Sequence, residues 1–212
     1  MNALLFINGK PPKKLPAFNH YQIIACSDGA FHYLENLKFP LDRLDFISGD
    51  FDSFRAHERI EQLANSHQIQ IIETPDQNKT DFEKALEILL EREITSVDIY
   101  GGSGGEMDHF LGNLTVAYKY KDQLKIRFID EYSEYYFIPK KYQISGVKGR
   151  MISLFPFPFA ENITTSGLNW PLSNGELTMT VRIGTRNFAS EDVVNVEFTN
   201  GELLFFLGEK YH

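Results

Sequence analysis

The sequence lacks several features that would assign a chain to a class at once. Its single cysteine, Cys26, excludes an intrachain disulfide, and because it lies in an apolar run we expect a small core residue in a reducing compartment. Positive charge is scarce, with 21 Lys and Arg against 29 Asp and Glu and a formal net charge of −8 at pH 7. Binding of nucleic acid through its phosphates needs a clustered surplus of Lys and Arg, so we expect no nucleic-acid partner.

Long apolar runs are also missing. The apolar stretch near the start, residues 3–7, is far too short to span a bilayer, and the charged beginning of a signal peptide is absent. We therefore expect a soluble cytoplasmic protein with no membrane partner.

Two common nucleotide-binding motifs do not occur in the expected places. The sequence has no Gly-Lys-Ser/Thr of the P-loop type, and no Gly-x-Gly-x-x-Gly follows the first apolar run. These absences exclude a P-loop kinase and a typical dehydrogenase.

The first half of the chain alternates short apolar runs with helical patterns. Residues 80–93 give the clearest helix, with apolar residues at helical spacing and a capping-box pattern of Thr80 and Glu83. Strand and helix repeated in this order predict a mostly parallel sheet with helices on both faces. The predicted strands are residues 4–7, 22–26, 45–48, 69–73, 97–100 and 126–129.

After about residue 130 the pattern contains strands but no helix of normal length. The runs are separated by Gly, Pro and Asn turns, which predicts an antiparallel β-sandwich. The predicted fold class is therefore α/β plus all-β, with an α/β domain at 1–130 and a sandwich domain at 131–212. The predicted strands are residues 135–138, 142–144, 151–155, 176–183, 193–198 and 203–207.

Acidic or glycine-rich segments follow four of the predicted strands in the first half. Ligands of open α/β sheets bind outside the carboxyl ends of the strands. Crowded carboxylates repel one another unless a counter-charge is present, and oxygen ligands with few His or Cys favour Mg²⁺. The segments predict a metal-phosphate site, and they are Asp28-Gly29, Gly49-Asp50-Phe51-Asp52-Ser53, Asp76 through Asp81, and Gly101 through Gly105 with Asp108.

Each of these segments also has a simpler structural explanation. Asp28 could cap a helix over residues 29–37, and Asp50 with Asp52 could form a solvated turn. Asp81 would suit the dipole at the start of its helix, and the glycine run could be an ordinary loop. The simpler explanations must hold four separate times, so the coincidence of four segments favours a functional site.

In this order, the motifs resemble the thiamine pyrophosphokinase family. The resemblance extends from Asn8-Gly9 to residues 200–204, and includes Asp108-His109 and the segment Thr165-Ser166-Gly167-Leu168-Asn169-Trp170-Pro171-Leu172. It implies a homodimer in which the α/β domain binds Mg-ATP. It also implies that the sandwich domain supplies much of the thiamine pocket and the dimer contact.

The resemblance further implies a role for individual residues. Asp50, Asp52 and Asp81 would be metal ligands, and Asp28 and Asp108 would line the same cleft. Gln77 and Thr80 would contact the nucleotide or the incoming substrate, and Trp170 would pack against thiamine with Ser166 close by. The remaining binding residues carried over from the matching motifs are Gly29, Gly101, Gly102 and His109.

Trp170 has two possible interpretations from its surroundings. A lone tryptophan is ordinarily a core aromatic of a sandwich. Its neighbours Gly167, Asn169 and Pro171 form turns, however, which favours a loop or strand edge where the ring can meet the cationic thiazolium of thiamine.

Two positions depart from the family pattern. Glu106 and Met107 precede Asp108 where the family usually has an Arg, so Lys79, Arg55 and Lys84 are alternative sources of a phosphate-facing cation. Arg186 stands where the family tends to have the Ser of a Ser-Asn pair.

The expected reaction is in-line attack of the thiamine hydroxyl on the β-phosphorus of ATP, with AMP departing and Asp108 or Asp81 accepting the proton. One alternative is a phosphohydrolase that uses Asp50 as its nucleophile. Another is a non-catalytic module that binds nucleotide or thiamine.

Overall fold

The structure is a computed structural model that describes residues 1–51 and 54–210. The chain divides into two compact units, Met1–Glu131 and Tyr132–His212. Each unit has its own hydrophobic core.

The described part of the first unit contains a fully parallel six-stranded sheet. Its strand order is β4-β3-β2-β1-β5-β6. The chain moves outward from β1 to β4 and then returns to β5 on the other side of β1, which creates a topological switch point. The predicted strands are confirmed to within two residues at each end, and they are β1 Asn2–Phe6, β2 Ile23–Ser27, β3 Phe46–Gly49, β4 Gln70–Glu73, β5 Ser96–Tyr100 and β6 Lys125–Ile129.

Helices cover both faces of this sheet, as predicted. Leu4 and Phe6 of β1 belong to a buried cluster with Phe31 and Ile60, whereas Ala3 and Leu5 alternate with them and are also fully buried. The helices of the described first unit are α1 Asp28–Asn36, α2 Phe54–His67, α3 Asp81–Glu91 and α4 Met107–Tyr120, with a 3₁₀ turn at Leu41–Arg43. Within residues 1–51 and 54–210, no helix combines the length and the apolar character needed to cross a membrane.

The start of α3 confirms half of the predicted capping box. Thr80 is the N-cap, and its hydroxyl accepts a hydrogen bond from the Glu83 amide at 3.2 Å. The Glu83 carboxylate does not return the bond, because it contacts Lys119 and accepts from the Tyr120 hydroxyl at 3.2 Å. These contacts tie α3 to α4.

The second unit is antiparallel throughout its described strands. The long strand β9 pairs with β13 along most of its length and with β12 only at its end, where Thr165 lies opposite Val196. β9 therefore runs from one sheet into the other, and apolar side chains fill the space between the sheets. The strands are β7 Ser133–Phe137, β8 Lys141–Ser145, β9 Arg150–Ser166, β10 Gly175–Thr178, β11 Gly184–Phe188, β12 Val193–Glu197 and β13 Asn200–Lys210.

Several strands of this unit differ from the prediction. β11 Gly184–Phe188 was not predicted, and β13 Asn200–Lys210 extends beyond both ends of the predicted strand 203–207. Residues 176–183 were expected as one strand, but β10 ends at Thr178 in a tight turn. The Thr178 hydroxyl accepts from the Val181 amide at 3.1 Å, and the Thr178 amide donates to the Arg182 carbonyl at 2.9 Å. The predicted strand 151–155 is the beginning of β9, which continues through Pro156.

Candidate functional site

The ends of the parallel strands bring the acidic segments to one edge of the first unit. In the sheet register Ser27 lies opposite Ser48, and Gly49 lies opposite Glu73. Asp28 and Asp50 directly follow β2 and β3 at this edge. The segment 74–80 leaves β4 at the same edge and leads into α3.

Asp28 links the end of β2 to the end of β3. Its carboxylate accepts from the Gly29 amide at 2.6 Å and from the Phe51 amide at 3.3 Å. Gly49 leaves room for this carboxylate, because a Cβ at that position would lie 2.5 Å from Asp28 Oδ2. Asp28 is thus held by the backbone of the neighbouring segment, and it is the first residue of α1, one place after the N-cap Ser27.

The pKa of Asp28 reports the charge of its neighbours. Burial raises this pKa above the ordinary aspartate value, and the negative charges of Asp81 and Asp50 raise it further. The hydrogen bonds from the Gly29 and Phe51 amides act in the opposite direction. The three carboxylates of Asp28, Asp50 and Asp81 therefore share one electrostatic environment.

Gln77 contacts the second of these carboxylates. Its Nε2 donates to Asp50 Oδ2 at 3.1 Å. The adjacent Asp76 accepts from the Asn78 amide and side chain at 2.9 and 3.0 Å, which lowers the Asp76 pKa and orders the turn. The loop after β4 thus delivers Gln77 to the acidic edge.

Asp81, the third carboxylate, contacts a buried lysine. Lys84 Nζ lies 2.8 Å from Asp81 Oδ1 and donates to the Thr74 carbonyl oxygen at 2.7 Å. Thr80, the residue before Asp81, uses its hydroxyl to cap α3. The Thr80 hydroxyl is therefore engaged as the N-cap of α3, and the substrate contact expected for Thr80 remains a prediction.

The predicted metal ligand Asp52 lies outside the described residues. Among the residues that the structure does describe, no group of three or more His, Cys, Asp or Glu side chains is close enough to hold a metal ion. The structure thus brings together Asp28, Asp50, Gln77 and Asp81, and leaves the metal assignment as a prediction.

Gly101 packs against the residue that follows β1, and Gly102 packs against Phe128 of β6. Gly101 has a φ of +77°, and a Cβ there would overlap the Ile7 carbonyl oxygen. A Cβ on Gly102 would overlap the Phe128 ring, and Asn113 of α4 donates to the Gly102 carbonyl at 3.0 Å. These contacts explain both glycines by close packing.

Asp108 and His109 lie in the first turn of α4. The Asp108 carboxylate accepts from the His109 amide at 3.0 Å, and His109 Nε2 lies 3.7 Å from the Glu106 carboxylate. All three side chains are exposed to solvent. Glu106, which stands where the family has an Arg, is thus directed toward His109.

Asn8 is a residue of this edge that the sequence analysis used only as part of a motif. A Cβ on Gly29 would fall 2.6 Å from Asn8 Cγ, so the exposed Asn8 side chain lies against the start of α1. Asn8 follows the central strand at the switch point of the sheet. That position is the signal by which it could have been found.

The three alternative cations differ in their surroundings. Lys79 Nζ lies 2.8 Å from both carboxylate oxygens of Glu87 and lowers the pKa of Glu87 chiefly through this hydrogen bond. Lys84 is buried against Asp81. The Arg55 side chain lies outside the described part of the structure.

In the second unit, Trp170 borders a cleft. Its side chain is 60% exposed and lies outside the strands, so it is not a core aromatic. Asn187 holds its backbone through two hydrogen bonds, from the Trp170 amide at 3.2 Å and to the Trp170 carbonyl at 2.8 Å. The Phe188 ring packs edge-on against the indole at 5.4 Å between centroids.

The cleft beside Trp170 is lined by both apolar and polar groups and has a volume of about 190 Å³. One cationic side chain, Arg182, is among its lining residues. Ser166 is not among them, and its hydroxyl accepts from Asn195 at 3.0 Å. The lining residues are Leu154, Leu168, Trp170, Leu172, Leu177, Arg182, Ile183, Gly184, Thr185 and Asn187.

Arg186, the second departure from the family pattern, lies next to this cleft in sequence. It adopts a φ of +57°, and its amide donates to the Ser153 hydroxyl at 3.0 Å. The following residue, Asn187, retains the amide that holds Trp170.

Comparison with known proteins places this combination of an α/β unit and an antiparallel sandwich among kinase-type transferases. Residues 16–128 match the family model described as Thiamin pyrophosphokinase, catalytic domain. Residues 136–203 match the one described as Thiamin pyrophosphokinase, vitamin B1 binding domain. The chain therefore belongs to the thiamine pyrophosphokinase family.

Relatives from distant organisms agree with this membership. A thiamine pyrophosphokinase of Bacillus subtilis is 36% identical over 191 residues, which cover 84% of this chain and 86% of the relative. Thiamine pyrophosphokinase 2 of Arabidopsis thaliana is 30% identical over 234 residues, covering 98% of this chain and 86% of the relative. The predicted family and transferase class are confirmed, and these matches do not support the hydrolase or the non-catalytic module.

Solved structures agree with the fold. The crystal structure of thiamine pyrophosphokinase from Bacillus subtilis matches with a TM-score of 0.81 at 26% identity, over 99% of this chain and 100% of that one. The Candida albicans enzyme matches with a TM-score of 0.83 at 18% identity, covering 99% of this chain and 89% of that one, and supports the fold alone. The predicted fold class is confirmed.

Proposed function

We propose that the chain transfers the pyrophosphoryl group of ATP to the hydroxyl of thiamine, giving thiamine diphosphate and AMP. Family membership supports the reaction. The observation that carries its phosphate half is the position of Asp28 and Asp50 directly after β2 and β3, with Asp81 at the start of α3 acting on Asp28 through its charge.

The side chains at the acidic edge fit a bound Mg²⁺. Asp50 and Asp81 offer carboxylate oxygens, and both are partly open to solvent. Oxygen ligands of this kind are those that Mg²⁺ prefers. Asp50, Asp81 and Asp52 would hold the ion, which when bound would neutralise charge on the transferring phosphates.

The protein's own groups position the reactants. Gln77, which donates to Asp50, would contact a phosphate-bearing substrate. Asp108 would accept the hydroxyl proton in preference to Asp81, because Asp81 Oδ1 already contacts Lys84. Asp28 holds the two strand ends in place through the amides of Gly29 and Phe51.

Thiamine binds, in this proposal, through the cleft at Trp170. The exposed indole offers an aromatic face to the thiazolium cation, and Asn187 holds the indole from the backbone side. Arg182 would lie toward the hydroxyl of thiamine that receives the pyrophosphoryl group, since its guanidinium repels the thiazolium cation. The first unit would then be the ATP-binding domain and the second the thiamine-binding domain.

A homodimer in the cytoplasm completes the proposal. Exposed apolar side chains are concentrated near the turn between β10 and β11, where Val181 is 86% exposed and Met179 and Ile183 are also exposed. Such a patch is typical of an interaction surface, and a second copy of the chain would cover it. Sedimentation velocity of the purified protein would measure the dimer directly.

One assay tests the reaction. The purified chain is incubated with ATP, Mg²⁺ and thiamine, and the products are identified and quantified by mass spectrometry. We expect AMP and thiamine diphosphate in equal amounts. Release of inorganic phosphate without thiamine would instead indicate the hydrolase, and binding of both substrates without AMP would indicate the non-catalytic module.

A further inference from the structure

Lys84 carries a buried ammonium group next to the acidic edge. Its side chain is only 6% exposed, and its two polar contacts are Asp81 Oδ1 at 2.8 Å and the Thr74 carbonyl oxygen at 2.7 Å. A buried ammonium is costly unless it is paired and hydrogen-bonded, and these two contacts supply both conditions. Lys84 thus faces the interior, whereas the neighbouring Asp81 side chain is 38% exposed.

The two contacts of Lys84 lie at opposite ends of the segment 74–80. The Thr74 amide donates to the Gly49 carbonyl at 2.8 Å, and Gly49 directly precedes Asp50. At the other end, Asp81 is the first residue of α3. Lys84 therefore connects the end of β3 to the start of α3, and with it the position of Asp50 to that of Asp81.

The other lysine of this region makes a different contact. Lys79 pairs with Glu87 farther along α3. Lys84, in contrast, contacts Asp81, a carboxylate of the acidic edge.

We propose that Lys84 is a positioning residue for the transfer reaction. It holds the Asp81 carboxylate at the separation from Asp50 that a phosphate-bearing substrate requires, and it does not contact the substrate itself. The inference rests on the proposed function, because Lys84 acts through Asp81. It also removes Lys84 from the cations that could replace the family Arg near Glu106.

A double-mutant cycle tests whether Lys84 acts through Asp81. Lys84→Met should lower kcat about 100-fold through misplacement of the carboxylate, with a much smaller change in the KM for ATP. In an Asp81→Asn background, the same change should cost less than about threefold more. A full additional loss in the double variant would overturn the inference, because it would indicate a direct substrate contact or a role independent of Asp81.

Two further variants test the same inference outside the cycle. Lys84→Arg keeps the positive charge and should restore part of kcat, and no restoration relative to Lys84→Met would argue against positioning by the ion pair. Lys119→Met removes another lysine that pairs with α3, through Glu83, and should keep kcat within about threefold of the parent protein. An equal loss in Lys119→Met would show that the effect is general to α3 ion pairs, and would overturn the inference.

Amide hydrogen exchange on the ligand-free protein tests the same point without activity. Lys84→Met should speed exchange across residues 74–81 while β1 and β5 keep their protection. Unchanged exchange in that segment would overturn the inference even if the protein forms AMP normally. If exchange is faster in Lys84→Met but the parent protein forms no AMP, the proposed function is overturned and the structural role of Lys84 is retained.

Discussion

The acidic edge and the Trp170 cleft hold their side chains in different ways. At the edge, Asp28 accepts from two backbone amides and Asp81 contacts a buried lysine. In the second unit, Asn187 holds only the backbone of Trp170, and the indole is 60% exposed. The first region positions charges through buried contacts. The second presents an open surface. Substitutions at the edge should therefore act mainly on kcat, and substitutions at the cleft mainly on the KM for thiamine.

The largest effect is expected for Asp50→Asn. The change removes a negative charge that the proposal assigns to metal and phosphate binding, so kcat should fall about 1000-fold, with Asp52→Asn behaving alike. Asp122→Asn is the matched control, because Asp122 is exposed at the amino edge of the sheet beside Lys121. Steady-state kinetics across a range of Mg²⁺ concentrations make the measurement. Normal activity and normal Mg²⁺ dependence in Asp50→Asn would contradict the assignment of the acidic edge to metal and phosphate binding.

A smaller loss is expected for Gly49→Ala, which tests whether the edge depends on close packing. The new Cβ would lie 2.5 Å from Asp28 Oδ2 and would displace the carboxylate. We expect a loss of about 2 kcal/mol in unfolding free energy, and a fall of about 100-fold in kcat. Denaturant unfolding and kinetics measure the two effects.

Gly112→Ala supplies the control for that substitution. Gly112 lies within α4, and a Cβ there would meet no atom within 4 Å. Alanine should stabilise the helix by about 0.5–1 kcal/mol and leave kcat unchanged. If both glycine variants lost stability alike, the special packing at Gly49 would be refuted.

Trp170→Ala tests the cleft side of the comparison. Loss of the aromatic face should raise the KM for thiamine about tenfold and leave the KM for ATP unchanged. Unfolding free energy should change little, because the indole is largely exposed. Trp170→Phe keeps an aromatic face and should recover most of the affinity. A fall in kcat with unchanged KM for thiamine would place Trp170 elsewhere in the reaction.

The sequence predicted the acidic edge well because parallel strands buried on both faces read as short apolar runs. The topology places the residue after each run at the same edge, so the order of runs and acidic residues was enough to group Asp28 with Asp50. Lys84 could not be assigned in this way. Lys84 donates to the backbone carbonyl of Thr74, and a contact to a backbone carbonyl cannot be predicted from the pattern of side chains.

The second unit was harder to predict because its apolar pattern continues through turns. Val181 and Ile183 extend a strand-like pattern across the turn that the Thr178 hydroxyl stabilises. The length of β9 was missed for the opposite reason, since Pro156 and Pro158 indicate a break that the strand does not make. The thiamine role of Trp170 was predicted mainly from family resemblance, with the turn-forming residues around it as the only local signal.

The smallest effect is expected for the pH dependence of Asp28→Asn, measured as unfolding free energy without metal. Burial and the charges of Asp81 and Asp50 raise the pKa of Asp28 in the folded state above its unfolded value. The folded state therefore binds this proton more tightly, and stability falls as the pH rises through the raised pKa. In acid, where both states are protonated, the cost is absent.

Asparagine removes that charge, so the stability of Asp28→Asn relative to the parent protein should increase from acid to neutral pH. The hydrogen bonds from the Gly29 and Phe51 amides favour the charged carboxylate and oppose the shift, so they make the expected slope smaller without reversing its sign. The slope with pH, rather than the absolute difference, reports the raised pKa of Asp28, to which burial contributes most and the charges of Asp81 and Asp50 contribute less. Trp170→Ala is the control and should give a flat difference, because no carboxylate lines its cleft among the described residues. A flat difference for Asp28→Asn would mean that burial and the neighbouring carboxylates do not raise the pKa of Asp28 in the folded protein.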